Sequence, residues 1–300
     1  MRILHIDTGR EMRGGQWQVL YLLEGLVALG HGVTLLARSG APLAAAARAK
    51  GFDVRAATLA AALGARADVV HAHDARAHLL AAFARGVPLV VARRVAFPLH
   101  TGILSRWKYR RAAHYIAVSE HVAAVLAAAG IARSRVSVVY DGVPPAPSGS
   151  PGARIVAPAT RDPQKGSALV EAAAARGRFS VHFSTDLPRD LAGAAVFVYI
   201  THQEGLGSGA LLAMASGVPV VASRAGGLPE IVVDGETGLL VDNTPEAIAA
   251  AVTRLAQDRA FATRLGAAGR RMVETRFSVA HMVQGTLAVY HRVLPCSKPR

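Results

Sequence analysis

Cysteine is nearly missing from this chain of 300 residues: Cys296, close to the C-terminus, is the single one. That excludes an internal disulfide and a zinc site built from cysteines, and it suits a reducing compartment. No run approaches the roughly 20 uninterrupted apolar residues that span a bilayer. The start, Met1-Arg2 followed by a strand-like Ile3 to Ile6, does not read as a signal peptide, so a cytoplasmic location is expected. Acidic residues are also few, 20 Asp and Glu against 34 Lys and Arg, for a formal charge of +14. Such an excess fits nucleic acid, a membrane surface or an acidic substrate, and equally an arginine-rich genome composition. Zinc-finger, RNA-binding and helix-turn-helix signatures are missing, so no nucleic-acid partner is expected. Most of the excess sits in the first half: residues 1–148 hold 18 Lys and Arg against 8 Asp and Glu, while 149–300 hold 16 against 12.

What is plentiful is apolar surface. At 52% hydrophobic and 18% charged residues, the chain can bury large cores, and its length implies two domains of about 150 residues each. Arg2 to Asp7 reads as a strand, Thr8 to Gln16 as a loop holding Gly14-Gly15, Trp17 to Leu29 as a helix closed by Gly30, and Val33 to Ala37 as a second strand. This is the opening of a Rossmann-like half, although the loop lacks the G-x-G-x-x-G spacing of a dinucleotide site. A helix near Leu43 to Lys50, a strand at Asp68 to Asp74, a helix from about Ala75 to Arg85 and a strand at Pro88 to Ala92 continue the alternation. It ends with Tyr115 to Val118, a Ser119-capped helix and Val136 to Tyr140. Strands followed by helices predict an α/β fold with parallel sheets, whose ligands collect at the strand C-termini.

Pro144 to Gly152 is rich in Pro, Gly and Ser and reads as a hinge. It divides the chain into domains at 1–147 and 148–300, with the last helix able to pack back on the first. Beyond it the alternation restarts, and the stretch Phe197 to Val241 stands out. A buried strand breaks into Thr201-His202-Gln203-Glu204-Gly205-Leu206-Gly207-Ser208-Gly209, and a short apolar helix follows. Unpaired N–H groups and the positive end of the dipole meet at such a junction, while glycines let a ligand approach closely, so a phosphate is the expected guest. Gly226-Gly227-Leu228-Pro229-Glu230 forms a second glycine loop on the same sheet edge. In the first half, Arg93 to Arg111 carries Arg93, Arg94, Arg106, Lys108, Arg110 and Arg111 among aromatic and aliphatic residues, with no acid. It reads either as a surface for an anionic acceptor or lipid headgroups, or as an ordinary solvated helix face.

Several ordered motifs resemble the retaining nucleotide-sugar glycosyltransferases of family 4. They are Arg13-Gly14-Gly15-Gln16, Leu29-Gly30-His31-Gly32-Val33-Thr34, Asp68 to Asp74, Val118-Ser119-Glu120, Val139-Tyr140-Asp141-Gly142-Val143, Pro163-Gln164-Lys165-Gly166 and the glycine loops of 204–230. The resemblance implies the GT-B architecture, two Rossmann-like domains with parallel sheets facing across an interdomain cleft. The first domain would take the acceptor and the second the nucleotide-sugar donor. Carried over by residue, Lys165 and Arg161 neutralise the leaving diphosphate and Glu204 accepts hydrogen bonds from donor-sugar hydroxyls, these three being the catalytic candidates. Gly205, Leu206, Gly207, Ser208 and Gly209 complete the donor loop, with Gly14 and Gly15 meeting the diphosphate from the first domain. Leu212 stands where the family's E-x7-E motif has its second glutamate, and Arg93-Arg94 stand where a histidine is common. His73, Arg93 and Arg94 are acceptor-side candidates, and His100 could also approach.

No D-x-D pair is visible, so neither a metal nor a cofactor is expected, and a UDP-sugar is the expected donor. The implied function is sugar transfer to a sugar, lipid-linked or small-molecule acceptor, in cell-surface polysaccharide, lipopolysaccharide or glycolipid synthesis. The enzyme would be cytoplasmic, with peripheral contact on the inner face of the membrane. The departures at Leu212 and Arg93-Arg94 leave two alternatives open: a non-catalytic nucleotide-sugar binding protein, and a GT-B epimerase or hydrolase.

Overall fold

The computed structural model describes residues 1–64, 66–99, 102–147 and 152–294. Cys296, His100 and the middle of the proline-rich stretch, 148–151, lie outside the described residues. The chain divides into two compact units: Met1–Tyr140 together with the chain from Val279 onward, and Asp141–Ser278. The division thus falls at Tyr140 rather than at 147. Val143 is the reason, since its N–H bonds Phe277 O at 3.0 Å and it bridges to Ser278, which ties the chain after 140 to the second unit.

In the first unit the elements run β1 (Arg2–Asp7), α1 (Gly14–Ala28), β2 (Gly32–Ala37), α2 (Pro42–Ala49), β3 (Asp53–Ala56), α3 (Leu59–Gly64) and β4 (Val69–Ala72). They continue with α4 (Ala75–Ala81), β5 (Leu89–Arg93), α5 (Ile103–Arg111), β6 (His114–Ala117), α6 (Glu120–Ala128) and β7 (Val136–Val138). The seven strands form one parallel sheet in the order β3-β2-β1-β4-β5-β6-β7. Chain direction across the sheet reverses between β1 and β4, which opens a crevice at their C-terminal ends. The sequence places α1 at Trp17, but the helix begins at Gly14. Gln16 Oε1 accepts from Arg13 N at 3.3 Å and its amide reaches Asp7 at 3.2 Å, so the glycines lie inside the first turn. Leu22 and Leu26 of α1 share a core with Ile3, Val69 and Val90 and with Met282, Val283 and Leu287 of the final helix.

The second unit runs β8 (Arg154–Pro158), α7 (Ser167–Gly177), β9 (Val181–Ser184), α8 (Leu187–Leu191), β10 (Ala194–Tyr199), α9 (Ser208–Ala215), β11 (Val220–Ser223), α10 (Leu228–Ile231), β12 (Leu239–Val241), α11 (Pro245–Gln257) and α12 (Arg259–Arg276). The final helix, α13 (Val279–Val293), belongs to the first unit. The second unit's five parallel strands stand in the order β12-β11-β10-β8-β9. Val196 and Val198 of β10 point into a core with Val170, Ile248, Val252 and Leu265. Here the chain reverses between β8 and β10, so the loops leaving those two strands diverge from a common edge. Asp258 separates α11 from α12, and its carboxylate caps α12 by accepting from Phe261 N.

Candidate functional site

The loops that leave β8 and β10 carry Lys165 and Glu204. Asp162 accepts from Gln164 N at 3.0 Å, Pro163 opens a single 3-10 turn, and Gly166 closes it at φ 61°. A Cβ on Gly166 would lie 2.7 Å from the Ile200 side chain, so glycine lets this loop lie against the end of β10. Gln164 O then accepts from His202 N at 2.8 Å and from Thr201 Oγ1 at 3.1 Å. Stitched together in this way, the two loops bring Lys165 Nζ to 2.6 Å from Glu204 Oε2. The pair is only partly open to solvent, with side-chain exposures of 29% and 14%. Glu204 also accepts from Tyr199 Oη at 2.7 Å and from Gly205 N at 3.0 Å.

The second glycine loop supports the first from behind. Gly227 N donates to Glu204 O at 3.2 Å, and Gly226, at φ 57°, has the Glu204 backbone where a Cβ would go. A brace that sequence reasoning missed holds the end of β10. Ser223 Oγ accepts from Thr201 N at 2.8 Å and donates to Asn243 Oδ1 at 2.6 Å, and Asn243 Nδ2 returns to Thr201 O at 3.0 Å. Thr201 and Ser223 are fully buried, yet nothing marks them in sequence as a pair. Of the other predicted donor residues, Arg161 is exposed on the loop after β8, and Gly207 turns the chain at φ 111°. Ser208 and Gly209 form the first turn of α9, where backbone N–H groups lack helical partners. Leu206 is 2% exposed, so its side chain belongs to the core and its backbone alone is left for a ligand.

In the first unit, the register of β1 and β4 sets His5 opposite His71, and His73 follows two residues later on the same face. Arg94 Nη1 lies 3.2 Å from His73 Nδ1, and His73 Nε2 lies 2.9 Å from His5 Nδ1. Arginine can only donate, so His73 carries its proton on Nε2 and passes it toward His5, whose own proton sits on Nε2. His71 Nδ1 meets Tyr290 Oη of α13 at 2.7 Å. Burial, reinforced by neighbouring imidazoles and Arg94, pushes His71 and His73 well below the usual histidine value and His5 down to about 3, so the three are neutral. Their ring nitrogens lie within 4.8 Å of one another, a spacing a metal ion could use. The lone pairs on His73 Nδ1 and His5 Nδ1, however, are already engaged by Arg94 and His73. The cluster is thus a partly hydrogen-bonded polar core, in which His5 Nε2 and His71 Nε2 are buried without a hydrogen-bond partner among the described residues.

The acceptor-side candidates separate on inspection. Arg94 stays on the buried His73 and close enough to Asp7 to act on its charge, and burial raises the Asp7 carboxyl above its usual range. Arg93 turns away and donates through Nη2 to Phe97 O. Gly14 and Gly15 offer the first N–H groups of α1, and a Cβ on Gly15 would sit 3.8 Å from Arg94 Cδ. The basic segment is mixed in role. Lys108 Nζ bonds the carbonyl of Ala75 at the start of α4, and Arg111 bonds those of Ala82 and Ala84 just beyond its end. Arg106 and Arg110 are exposed, and the same helix presents Ile103 at 91% and Leu104 at 58% exposure.

Comparison with known proteins gives two family matches: "Glycosyltransferase Family 4" over residues 12–147 and "Glycosyl transferases group 1" over 154–258. Alpha-maltose-1-phosphate synthase of Mycolicibacterium smegmatis is 44% identical over 110 residues, 34% of this chain and 28% of that protein. The GDP-mannose-dependent alpha-(1-6)-phosphatidylinositol monomannoside mannosyltransferase of the same organism is 54% identical over 68 residues, 22% of this chain and 18% of that one. The matches thus span less than a third of these relatives. Among solved structures, Anabaena Alr3699/HepE in complex with UDP and glucose superposes with a TM-score of 0.86 at 17% identity, covering 97% of this chain and 99% of that one. That likeness shows a shared GT-B fold.

Proposed function

This chain belongs to the family 4-type glycosyltransferases of GT-B fold, and on that premise we propose that it transfers a sugar, with retention of anomeric configuration, from a nucleotide diphosphate sugar to an acceptor in glycan synthesis. The observation that carries the proposal is the Lys165–Glu204 pair, held at 2.6 Å where the loops of β8 and β10 diverge, next to the N-terminus of α9. Bound there, a donor diphosphate meets Lys165, Arg161 and the backbone N–H groups of Ser208 and Gly209. Glu204 accepts a hydrogen bond from a sugar hydroxyl on the open side of Oε1. The bond from the anomeric carbon to the diphosphate oxygen breaks as the acceptor oxygen bonds that carbon on the same face. The acceptor proton passes to the departing diphosphate, and the two cations meet the charge as it grows. No resident metal is needed on this reading, because fixed cations supply the neutralisation.

UDP is the favoured nucleotide, since the Anabaena protein of the same fold binds UDP with glucose. The acceptor falls to the first unit, near His73 and Arg94. A lipid-linked acceptor suits the exposed face of α5, where Ile103 and Leu104 stand beside Arg106 and Arg110, and one relative is named for a phosphatidylinositol acceptor. No helix among the described residues is long and apolar enough to cross a membrane, so the contact proposed is peripheral. The test is a calorimetric and turnover screen of UDP-, GDP- and ADP-sugars against wild type, Lys165→Ala and Glu204→Ala. The wild type is expected to bind and turn over one donor. The variants should keep their melting temperature and lose about a hundredfold or more in kcat, by analogy with the loss of one preorganised charge-stabilising donor. Wild-type turnover by both variants refutes the assignment.

A further inference from the structure

Tyr199, the last residue of β10, has no task in the reaction outlined above, yet its hydroxyl is committed to the site. It donates to Glu204 Oε2 at 2.7 Å, the same oxygen that Lys165 Nζ reaches at 2.6 Å, while Gly205 N donates to Oε1 at 3.0 Å. A carboxylate offers about four lone-pair sites, and three donors from separate parts of the chain occupy three of them. The ring is placed without help from the hydroxyl. It stacks on Phe197 with centroids 5.8 Å apart, and it fits beneath the first turn of α9 because residue 209 is glycine. A Cβ there would stand 3.0 Å from Tyr199 Cε2. Burial and then the Glu204 charge hold the phenol well above its usual value, so it remains a donor.

We propose that Tyr199 is a positioning residue for the donor site: by anchoring the Glu204 carboxylate it keeps Lys165 on that carboxylate through one N–H and leaves two for the donor phosphates. The inference rests on the proposed function. Leu212, which stands where the E-x7-E motif of the family has its second glutamate, leaves Glu204 as the one carboxylate of that motif in this chain, so its orientation matters more. Because Lys165 meets charge that develops during bond breaking, misplacing it lowers kcat more than it weakens ground-state binding.

The experiment compares wild type, Tyr199→Phe, Glu204→Gln and the double variant, using the nucleotide sugar that the donor screen identifies. Tyr199→Phe keeps the ring, and an unchanged melting temperature verifies that the fold is intact. The expected result is a kcat about tenfold lower, with donor KM and nucleotide Kd within about twofold of wild type, as for a contact made chiefly in the transition state. In the Glu204→Gln background the same change should cost less than about twofold, because the charged acceptor has gone. Wild-type kcat in Tyr199→Phe, or a tenfold loss that persists beside Glu204→Gln, overturns the role of Tyr199 alone. A wild type that neither binds nor turns over any nucleotide sugar overturns the donor reading, and the role of Tyr199 with it.

Discussion

Acidification from pH 7.5 to 5 is expected to destabilise the first unit by about 4 kcal/mol through two buried histidines alone. Burial holds His5 at about 3 and His78 at about 4, with Arg94 and Lys108 adding to the respective shifts. Each has an ordinary value near 6.5 in the unfolded chain. Above pH 7 both are neutral in either state and stability is full. As pH falls through 6.5 the unfolded chain takes up protons that the folded chain refuses, so stability is lost from there down toward the folded values. At pH 5 the linkage is about 2 kcal/mol for each group. His71 and His73 shift in the same direction and add to the loss. Asp7, raised by burial, acts in the opposite sense, because its protonated form is favoured in the fold. Asp53 and Asp68 are depressed below 3.8 and titrate outside the window. For a unit of this size 1 kcal/mol moves the melting temperature by roughly 2–4 °C, so a fall of about 8–16 °C is expected. Differential scanning calorimetry at constant ionic strength measures it. A melting temperature for the first unit that moves by less than about 2 °C from pH 7.5 to 5 refutes the reasoning, since neutral buried imidazoles cannot be pH-silent.

Two further outcomes follow from packing and exposure. Gly226→Ala puts a Cβ against the Glu204 backbone at a positive φ. It should lower stability by about 1–3 kcal/mol in thermal melts, and it should weaken nucleotide binding because the displaced segment carries Glu204. Ile103→Glu with Leu104→Glu, at positions whose side chains touch solvent, should leave the melting temperature unchanged and abolish sedimentation with phosphatidylglycerol vesicles. Wild-type binding should weaken as salt is raised, given its electrostatic part. Vesicle binding by the double variant equal to wild type would remove α5 as the contact.

Local pattern made much of the architecture legible. Strand, glycine turn and helix alternate from Arg2 to Val241 with clear punctuation, and each glycine loop sits at the end of an apolar strand. Lys165 and Glu204 could be named because their motifs are short and contiguous. Other features carry no local mark. Gly14 and Gly15 read as loop because glycine disfavours helix, yet Gln16 satisfies the exposed N–H of Arg13 and reaches Asp7, and the helix starts three residues sooner than the first apolar position. His71 and His73 alternate as any strand residues do, and that they share a face with His5 depends on β1 lying beside β4.

The sequence by itself determined the elements, the parallel α/β class and the chemical types brought to each strand end, because periodicity, capping and glycine placement act over a few residues. Only the tertiary structure decided which of those groups meet. Lys165 and Glu204 stand 39 residues apart in the chain and 2.6 Å apart in space. That distance is set by Gly166 lying against Ile200, by Gln164 O collecting two bonds, and by Tyr199 holding the carboxylate. Of the neighbouring arginines, Arg94 reaches the histidine cluster while Arg93 folds back on its own loop. Adjacent positions in a chain diverge in direction, and long-range packing alone selects which one faces the site.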